Sequence, residues 1–252
     1  METGLLTFEA YGKSDIGKRV QNEDMLSLLP EHHFFALADG MGGHSAGEVA
    51  AQEASLAVCR SVEEFLNPQS LQLTKEEIRR HIKNAIIQAG NELFFLSQKD
   101  KQLKGMGTTF SCLYLHGKEA TYAHIGDSRI YLLREGKLKL LTKDHTLVSN
   151  LKLPSDQVPL NYKKMITKAL GCGLNVEPTL SQKTFYPEDI FLLCSDGLSD
   201  YAQDNEIEKI LRHSSSSKES SEKLIETAKK RGSRDNISVI VLKIKGYDLS
   251  RQ

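Results

Sequence analysis

Phe34-Phe35-Ala36-Leu37-Ala38-Asp39-Gly40 is an apolar run of strand length that ends on a carboxylate and a glycine. The chain repeats the device. Ile190-Phe191-Leu192-Leu193-Cys194-Ser195 runs into Asp196-Gly197, and Asp235-Asn236 opens a third run, Ile237-Ser238-Val239-Ile240-Val241-Leu242. A carboxylate at a strand end is held by rigid backbone yet faces the rim of a sheet. Three of them meeting there from distant parts of one chain would repel one another unless a cation sat between them. A single Asp-Gly after a strand is most often only a turn, so the reading rests on their joint occurrence.

Outward from these runs, the first forty residues read as strands, at Leu5 to Tyr11, Asp24 to Leu29 and Phe34 to Ala38. Ala46 to Leu66 then carries Val49, Leu56, Cys59, Val62 and Leu66 at near-helical spacing, an amphipathic pattern. Thr74-Lys75-Glu76-Glu77 has the form of a capping box, and Ile78, Ile82, Ala85, Ala89, Leu93 and Leu96 trace one helix face after it. From Thr108 to Leu141 the apolar period falls towards two. The runs there are separated by His116-Gly117-Lys118, Gly126-Asp127 and Glu135-Gly136-Lys137, which predicts a meander of antiparallel strands. Thr146 to Lys164 has no period and contains Pro154 and Pro159, so it reads as a loop-rich excursion. Asp204 is placed to cap a short helix to Leu211, and the serine run Ser214 to Ser217 leads to a last helix ending near Arg231. Strand blocks that alternate with helix pairs predict an α+β fold with an antiparallel core, not a doubly wound parallel sheet.

Composition narrows the function classes. A chain of 252 residues forms one large domain or two small ones and buries a sizeable core without disulfide staples. Basic and acidic residues balance at 33 each, which announces neither a nucleic-acid surface nor a membrane-attracting face. The four cysteines, Cys59, Cys112, Cys172 and Cys194, form no C-x-x-C pair, and a reducing cytosol suits them. No signal peptide and no bilayer-spanning stretch is legible, so a cytoplasmic location is expected. No cysteine carries an arginine six residues on, and no G-x-x-x-x-G-K-[ST] loop occurs. Cysteine-dependent phosphoryl chemistry and P-loop nucleotide hydrolysis therefore have no support.

Acidic groups gather at predicted strand edges: Glu23-Asp24, Asp39, Asp127, Asp196 and Asp235. An oxygen-only set without a His or Cys ligand pattern selects Mg²⁺ or Mn²⁺ over Zn²⁺. A water held between two such cations loses a proton far more readily than bulk water. The matching electrophile is an anionic phosphate ester, and Arg19, just ahead of Glu23-Asp24, is the candidate clamp for its oxygens. Asp127 in Gly126-Asp127-Ser128-Arg129 reads equally well as a hairpin turn with Arg129 as a surface charge. His44 is either a general acid beside the site or a residue satisfying a helix start. Asp144-His145 is a weaker candidate for direct catalytic work.

Seven motifs then fall in one order: Gly17 to Asp24, Ala38-Asp39-Gly40-Met41-Gly42-Gly43-His44, Gly105-Met106-Gly107-Thr108-Thr109, Gly126 to Arg129, Leu141 to His145, Ser195-Asp196-Gly197-Leu198 and Arg234-Asp235-Asn236-Ile237. Together they resemble the metal-dependent serine/threonine protein phosphatases of type 2C, in the glycine-rich form of the bacterial branch. The resemblance implies a central sandwich of two antiparallel sheets, with a helix pair outside each. It implies one catalytic domain over residues 1–252, with a flap at about 146–165 that influences substrate choice. Asp39 would bridge two Mn²⁺ or Mg²⁺ ions and Gly40 would give its carbonyl to one. Asp196 and Asp235 would complete the other shell, and Asp127 would help hold a third, looser ion. Glu23 and Asp24 would hold metal-bound waters, and Arg19 would bind the substrate phosphate.

Two departures accompany the resemblance. Many bacterial members have one more residue between the glycine and the arginine, so the turn from Gly17 to Arg19 is tighter here. Where some members place a histidine directly after Asp-Gly, this chain has Met41, and the general acid falls to His44, to a water or to nothing. The implied activity is Mn/Mg-dependent hydrolysis of phosphoserine and phosphothreonine in proteins, opposing a Ser/Thr kinase, by a monomer that binds no nucleic acid. The alternatives are the same chemistry on a small phosphate ester, or a phosphoprotein-binding regulator without turnover.

Overall fold

β3 (Phe34–Met41) alternates its side chains between two apolar layers, and the architecture follows from that alternation. Phe34, Ala36 and Ala38 join a core shared with helices α1 (Ala46–Phe65) and α2 (Lys75–Lys99), whereas Phe35 and Leu37 point into a core between two sheets. A strand buried on both faces reads as a continuous apolar run. The structure, a computed structural model, describes residues 5–42, 46–66, 73–151, 162 and 165–248.

One sheet contains β2 (Asp24–Leu29), β3, β5 (Phe110–His116), β6 (Glu119–Ile125) and β9 (Thr179–Thr184) in that order, with the two-residue β4 (Gly107–Thr108) paired to β3. The other is ordered β1-β11-β10-β7-β8, from β1 (Leu5–Asp15), β7 (Arg129–Arg134), β8 (Lys137–Leu140), β10 (Ile190–Cys194) and β11 (Ile237–Asp248). Every pairing is antiparallel. The inter-sheet core adds Leu113, Leu115, Ile130, Leu132, Phe191, Leu193, Ile240 and Leu242. On the outer face of the second sheet, Tyr131, Leu192, Cys194, Val239 and Val241 pack against Leu211, Leu224 and Ile225. Those residues come from helices α5 (Asp204–His213) and α6 (Ser217–Lys230), and the one-turn α4 (Asp196–Ser199) adds Leu198. The α+β fold of two antiparallel sheets between helices is the one the sequence predicts.

Local expectations fare unevenly. Thr74 caps α2 in a reciprocal capping box with Glu77, as the motif predicts. α1 buries Ala46, Gly47, Ala50, Ala51, Ala54, Ser55, Val58 and Val62, whereas Leu56, assigned to its apolar face by spacing, is exposed. The cause is close approach: a Cβ on Gly40 would stand 2.1 Å from the Gly47 carbonyl oxygen, so only a small-residue stripe fits there. The cap of α5 is Gln203, whose backbone N–H donates to Glu206 Oε2 at 3.1 Å, and Asp204 lies inside the first turn. Edge strand β9 was not legible, because its polar residues Thr179, Ser181, Gln182, Lys183 and Thr184 carry no apolar alternation. Of the proposed flap, Thr146 and Ile166 form a bridge at its base, Leu147 N–H donates to Met165 O at 2.9 Å, and a short helix α3 (Leu147–Leu151) follows. Residues 152–161 and 163–164 lie outside the described residues. No helix among the described residues is long and apolar enough to cross a membrane.

Candidate metal centre

The candidate ligands converge at one rim of the sandwich because backbone pairing and buried hydroxyls put them there. Asp24, opening β2, is the antiparallel register partner of Asp39 near the end of β3. Thr109 N–H donates to Asp39 O at 2.8 Å, and Thr109 Oγ1 accepts from Asp39 N–H at 3.0 Å. Thr108 Oγ1 donates to the same Asp39 carbonyl at 2.9 Å. Thr109 Oγ1 also bonds Ser128 Oγ at 2.8 Å, which ties the end of β3 to the turn that carries Asp127. From the other sheet, Ser195 Oγ donates to Asp24 Oδ2 at 3.1 Å and accepts from Ser238 N–H at 3.0 Å. Hydroxyls thus brace the Asp24 carboxylate, the Asp39 backbone and the turn of Asp127.

Electrostatics show how crowded the rim is. The Asp39 carboxyl is pushed well above its ordinary value by burial, then by the like charges of Asp24, Asp196, Asp127 and Asp235. Burial raises Asp24 to about 6. Asp127 also rises to about 6, by burial first and then by the charges of Asp144 and Asp200. Burial raises Glu23 too, helped by Asp235 and Glu48 and opposed by Arg19. Asp24 Oδ1 and Asp127 Oδ1 are buried with no hydrogen-bond partner. Buried acceptors without donors, amid mutually repelling carboxylates, are the surroundings that a hard cation relieves. The residues therefore fit Mn²⁺ or Mg²⁺. Among the described residues no three carboxylate, imidazole or thiol groups already close on a common ligating point.

Arg19 reaches this rim through a hydrogen bond: its Nη2 donates to Asp235 Oδ2 at 2.8 Å, and that bond foremost raises the guanidinium pKa. Its side chain is still 54% exposed. The loop beneath it hangs on Asn236, a buried amide whose role the sequence reading missed. Asn236 Nδ2 donates to Ile16 O and Gln21 O, both at 3.0 Å, and its Oδ1 accepts from Glu23 N–H at 2.9 Å. The available signal was an amide between Asp235 and an apolar strand, where a buried polar group must find partners. Gly17 is required here as well, since it sits at φ +61° and a Cβ would meet Asp235 O at 2.0 Å.

Asp127 belongs to a second acidic group. Asp200, four residues beyond Asp196, contributes to its field and was not singled out from sequence. A one-turn helix between them carries the signal, since positions i and i+4 share a face. Arg129 is not the surface charge of the turn reading. Its guanidinium grips Asp144 in a bidentate pair, with Nη2 at 2.8 Å from Oδ2 and Nε at 3.0 Å from Oδ1, and Nη1 donates to Tyr131 Oη. His145 Nδ1 accepts from Gly126 N–H at 3.2 Å and its Nε2 bonds Thr179 Oγ1 at 2.8 Å. It stacks on His124 at 4.5 Å, and burial with that neighbour lowers its pKa to about 4. His145 therefore stays neutral and holds the backbone ahead of Asp127. His44 lies outside the described residues.

Two outcomes are expected. Asn236→Ala removes three hydrogen bonds and leaves Gln21 O and Glu23 N–H without their partner, since Ile16 O still accepts from Arg19 N–H, and should destabilise the fold by about 1–3 kcal/mol in denaturant titrations. An unchanged midpoint would mean that water or neighbours replace the amide. The second concerns pH in EDTA. Carboxyls whose folded pKa lies above the unfolded value favour folding below the unfolded pKa, and that stability is lost as pH rises through the folded pKa. With Asp24 and Asp127 raised from 3.8 to about 6, the Tm of the metal-free protein should fall relative to Asp39→Asn between pH 4 and pH 6. Adding Mn²⁺ at neutral pH should restore it. Parallel curves for the two proteins would contradict the repulsion.

Comparison with known proteins agrees with this geometry. Residues 11–240 match the family model described as Protein phosphatase 2C. The chain is 38% identical over 250 residues to the serine/threonine protein phosphatase PstP of Mycobacterium tuberculosis, covering 96% of this chain and 46% of that protein. It thus spans about half the length of that relative. The serine/threonine phosphatase stp of Listeria monocytogenes is 34% identical over 249 residues, covering 95% of each chain. A solved catalytic domain of PstP in complex with two manganese ions superposes with a TM-score of 0.82 at 34% identity, covering 95% of this chain and 99% of that one. By motif order, sheet architecture and similarity along nearly its whole length, the chain belongs to the protein phosphatase 2C family.

Proposed function

We propose that this chain hydrolyses phosphoserine and phosphothreonine in proteins with the help of bound Mn²⁺ or Mg²⁺. The observation that carries the reading is the gathering of aspartates at one rim, where Asp24 faces Asp39 across the ladder, Asp24 Oδ1 and Asp127 Oδ1 lie buried without a donor, and burial and then the charges of four other aspartates raise the Asp39 carboxyl. Asp39, Gly40, Asp196 and Asp235 hold two ions in this reading, and Asp127 with Asp200 holds a third. The PstP domain crystallised with two manganese ions supports that number for the core pair. When bound, such ions activate a water and neutralise charge on the phosphoryl oxygens.

The chain's own groups do the positioning. Arg19 presents a planar fork to the phosphoryl oxygens, and its bond to Asp235 aims it. Asp24 Oδ1, buried and without a donor, accepts a hydrogen bond from water in the site, and Ser195 holds the opposite oxygen still. Glu23 lines the approach beside it, its backbone held by Asn236. His44 stays the candidate donor to the leaving oxygen, with water as the alternative. The segment 146–165 acts as a flap, its base closed by the Thr146–Ile166 bridge. Residues 1–252 work as one catalytic domain, a monomer acting on substrates of a Ser/Thr kinase. The four free cysteines suit a cytoplasmic setting.

Phosphate release from a phosphothreonine peptide tests this. Turnover should need Mn²⁺ and stop in EDTA. Asp39→Asn should reduce it by more than about a hundredfold, the upper end for loss of an outer-sphere partner, while leaving the protein folded. Wild-type turnover in Asp39→Asn would refute the assignment. Turnover confined to small phosphate esters would move the substrate class.

A further inference from the structure

The loop that carries Arg19 also carries a side chain that the site's chemistry does not use. Val20 is wholly exposed, at 101% of its reference area, and Ile16 at the foot of the same loop is 43% exposed. A lone exposed apolar residue on a loop needs no explanation by itself. Two further observations set this one apart.

The first is rigidity. Asp15 Oδ1 accepts from Gly17 N–H at 2.9 Å, Arg19 N–H donates to Ile16 O at 3.2 Å, and Asn236 holds Ile16 O and Gln21 O. Gln21 Nε2 donates to Glu48 on α1, and the Arg19 guanidinium is tied to Asp235. The loop is thus fixed on both sides of Val20, which cannot turn back towards the core to leave the water. Its β-branched side chain is also stiff, so a contact made there forfeits little rotamer freedom.

The second is placement. Val20 directly follows the guanidinium that takes the phosphoryl group. An extended peptide advances about 3.3 Å per residue, with neighbouring side chains on opposite faces. The residue two positions from the phosphorylated one therefore shares its face and falls within reach of a side chain next to Arg19. The acidic rim supplies charge for cations and, through Arg19, for phosphate, but Val20 and Ile16 offer it only apolar surface.

We propose that Val20, with Ile16 at the foot of the loop, is a specificity-determining contact that receives an apolar side chain two residues from the phosphorylated residue of a protein substrate. This rests on the phosphatase reading above. The occupant is a substrate residue and not a second copy of the chain.

Three substrates separate the possibilities: p-nitrophenyl phosphate, a phosphothreonine peptide with Leu two residues away on both sides, and the same peptide with Ser at those two positions. The wild-type enzyme should prefer the Leu peptide by about fivefold in kcat/KM, the range expected for one or two covered methyl groups. Val20→Thr, similar in shape but polar, should lose that preference through KM while hydrolysing p-nitrophenyl phosphate as before. Val20→Leu should keep the preference. An equal loss on all three substrates would show that Val20 only supports the loop and would overturn the proposal, as would a preference unaffected by Val20→Thr. A dimer in light scattering that Val20→Thr dissociates would also overturn it, by making a second copy the occupant. If the wild-type chain released phosphate from none of the three with Mn²⁺ present, the phosphatase reading would fail, and this inference with it.

Discussion

Like charges forced together at a rigid rim are the constraint on which this molecule turns. Asp39 sits among the charges of Asp24, Asp196, Asp127 and Asp235, and its carboxyl is displaced upwards by burial and by all four. Left to itself such a cluster opposes folding. It persists because each carboxylate is mounted on backbone that belongs to a ladder or a turn, and those elements are held by three apolar layers. The sandwich supplies the stability that the edge gives up, and a divalent cation bound there would restore part of it.

Several features that look unrelated serve that arrangement. Small residues on α1 let Gly47 press against Gly40, which brings the helix start to the strand end. Thr108, Thr109 and Ser128 fix Asp39 from one side, and Ser195 fixes Asp24 from the other. Asn236 then couples the Arg19 loop to the start of β11. None of these groups needs to touch a substrate. Each shortens the list of positions that the reacting groups can occupy, and positioning of this kind is most of what phosphoryl transfer asks of a protein.

Much of this was legible beforehand, for identifiable reasons. Strands buried on both faces, such as β3 and β10, announce themselves as apolar runs, and the aspartates at their ends are unmistakable in order. The capping box at Thr74 is a local signal and was read correctly. What failed was whatever depended on tertiary contact. The orientation of α1 is set by a glycine–glycine approach that periodicity does not encode. β9 is polar because it lies at a sheet edge, so no alternation marks it. Asn236, Ser195 and Thr109 were visible as letters of motifs, but their work consists of hydrogen bonds to segments far away in sequence, and Arg129 looked like a surface charge until Asp144 was placed beside it.

Calorimetric titration of Mn²⁺ into protein stripped with EDTA, then dialysed free of it, tests the central claim most directly. The carboxylate field predicts saturable binding of at least two ions per chain, protons released near pH 6 as the raised carboxyls ionise, and loss of the tight sites in Asp39→Asn. Binding heats absent in the wild-type chain, or present and unchanged in Asp39→Asn, would contradict the account: the acidic rim would then be a feature of the fold with no cation to hold.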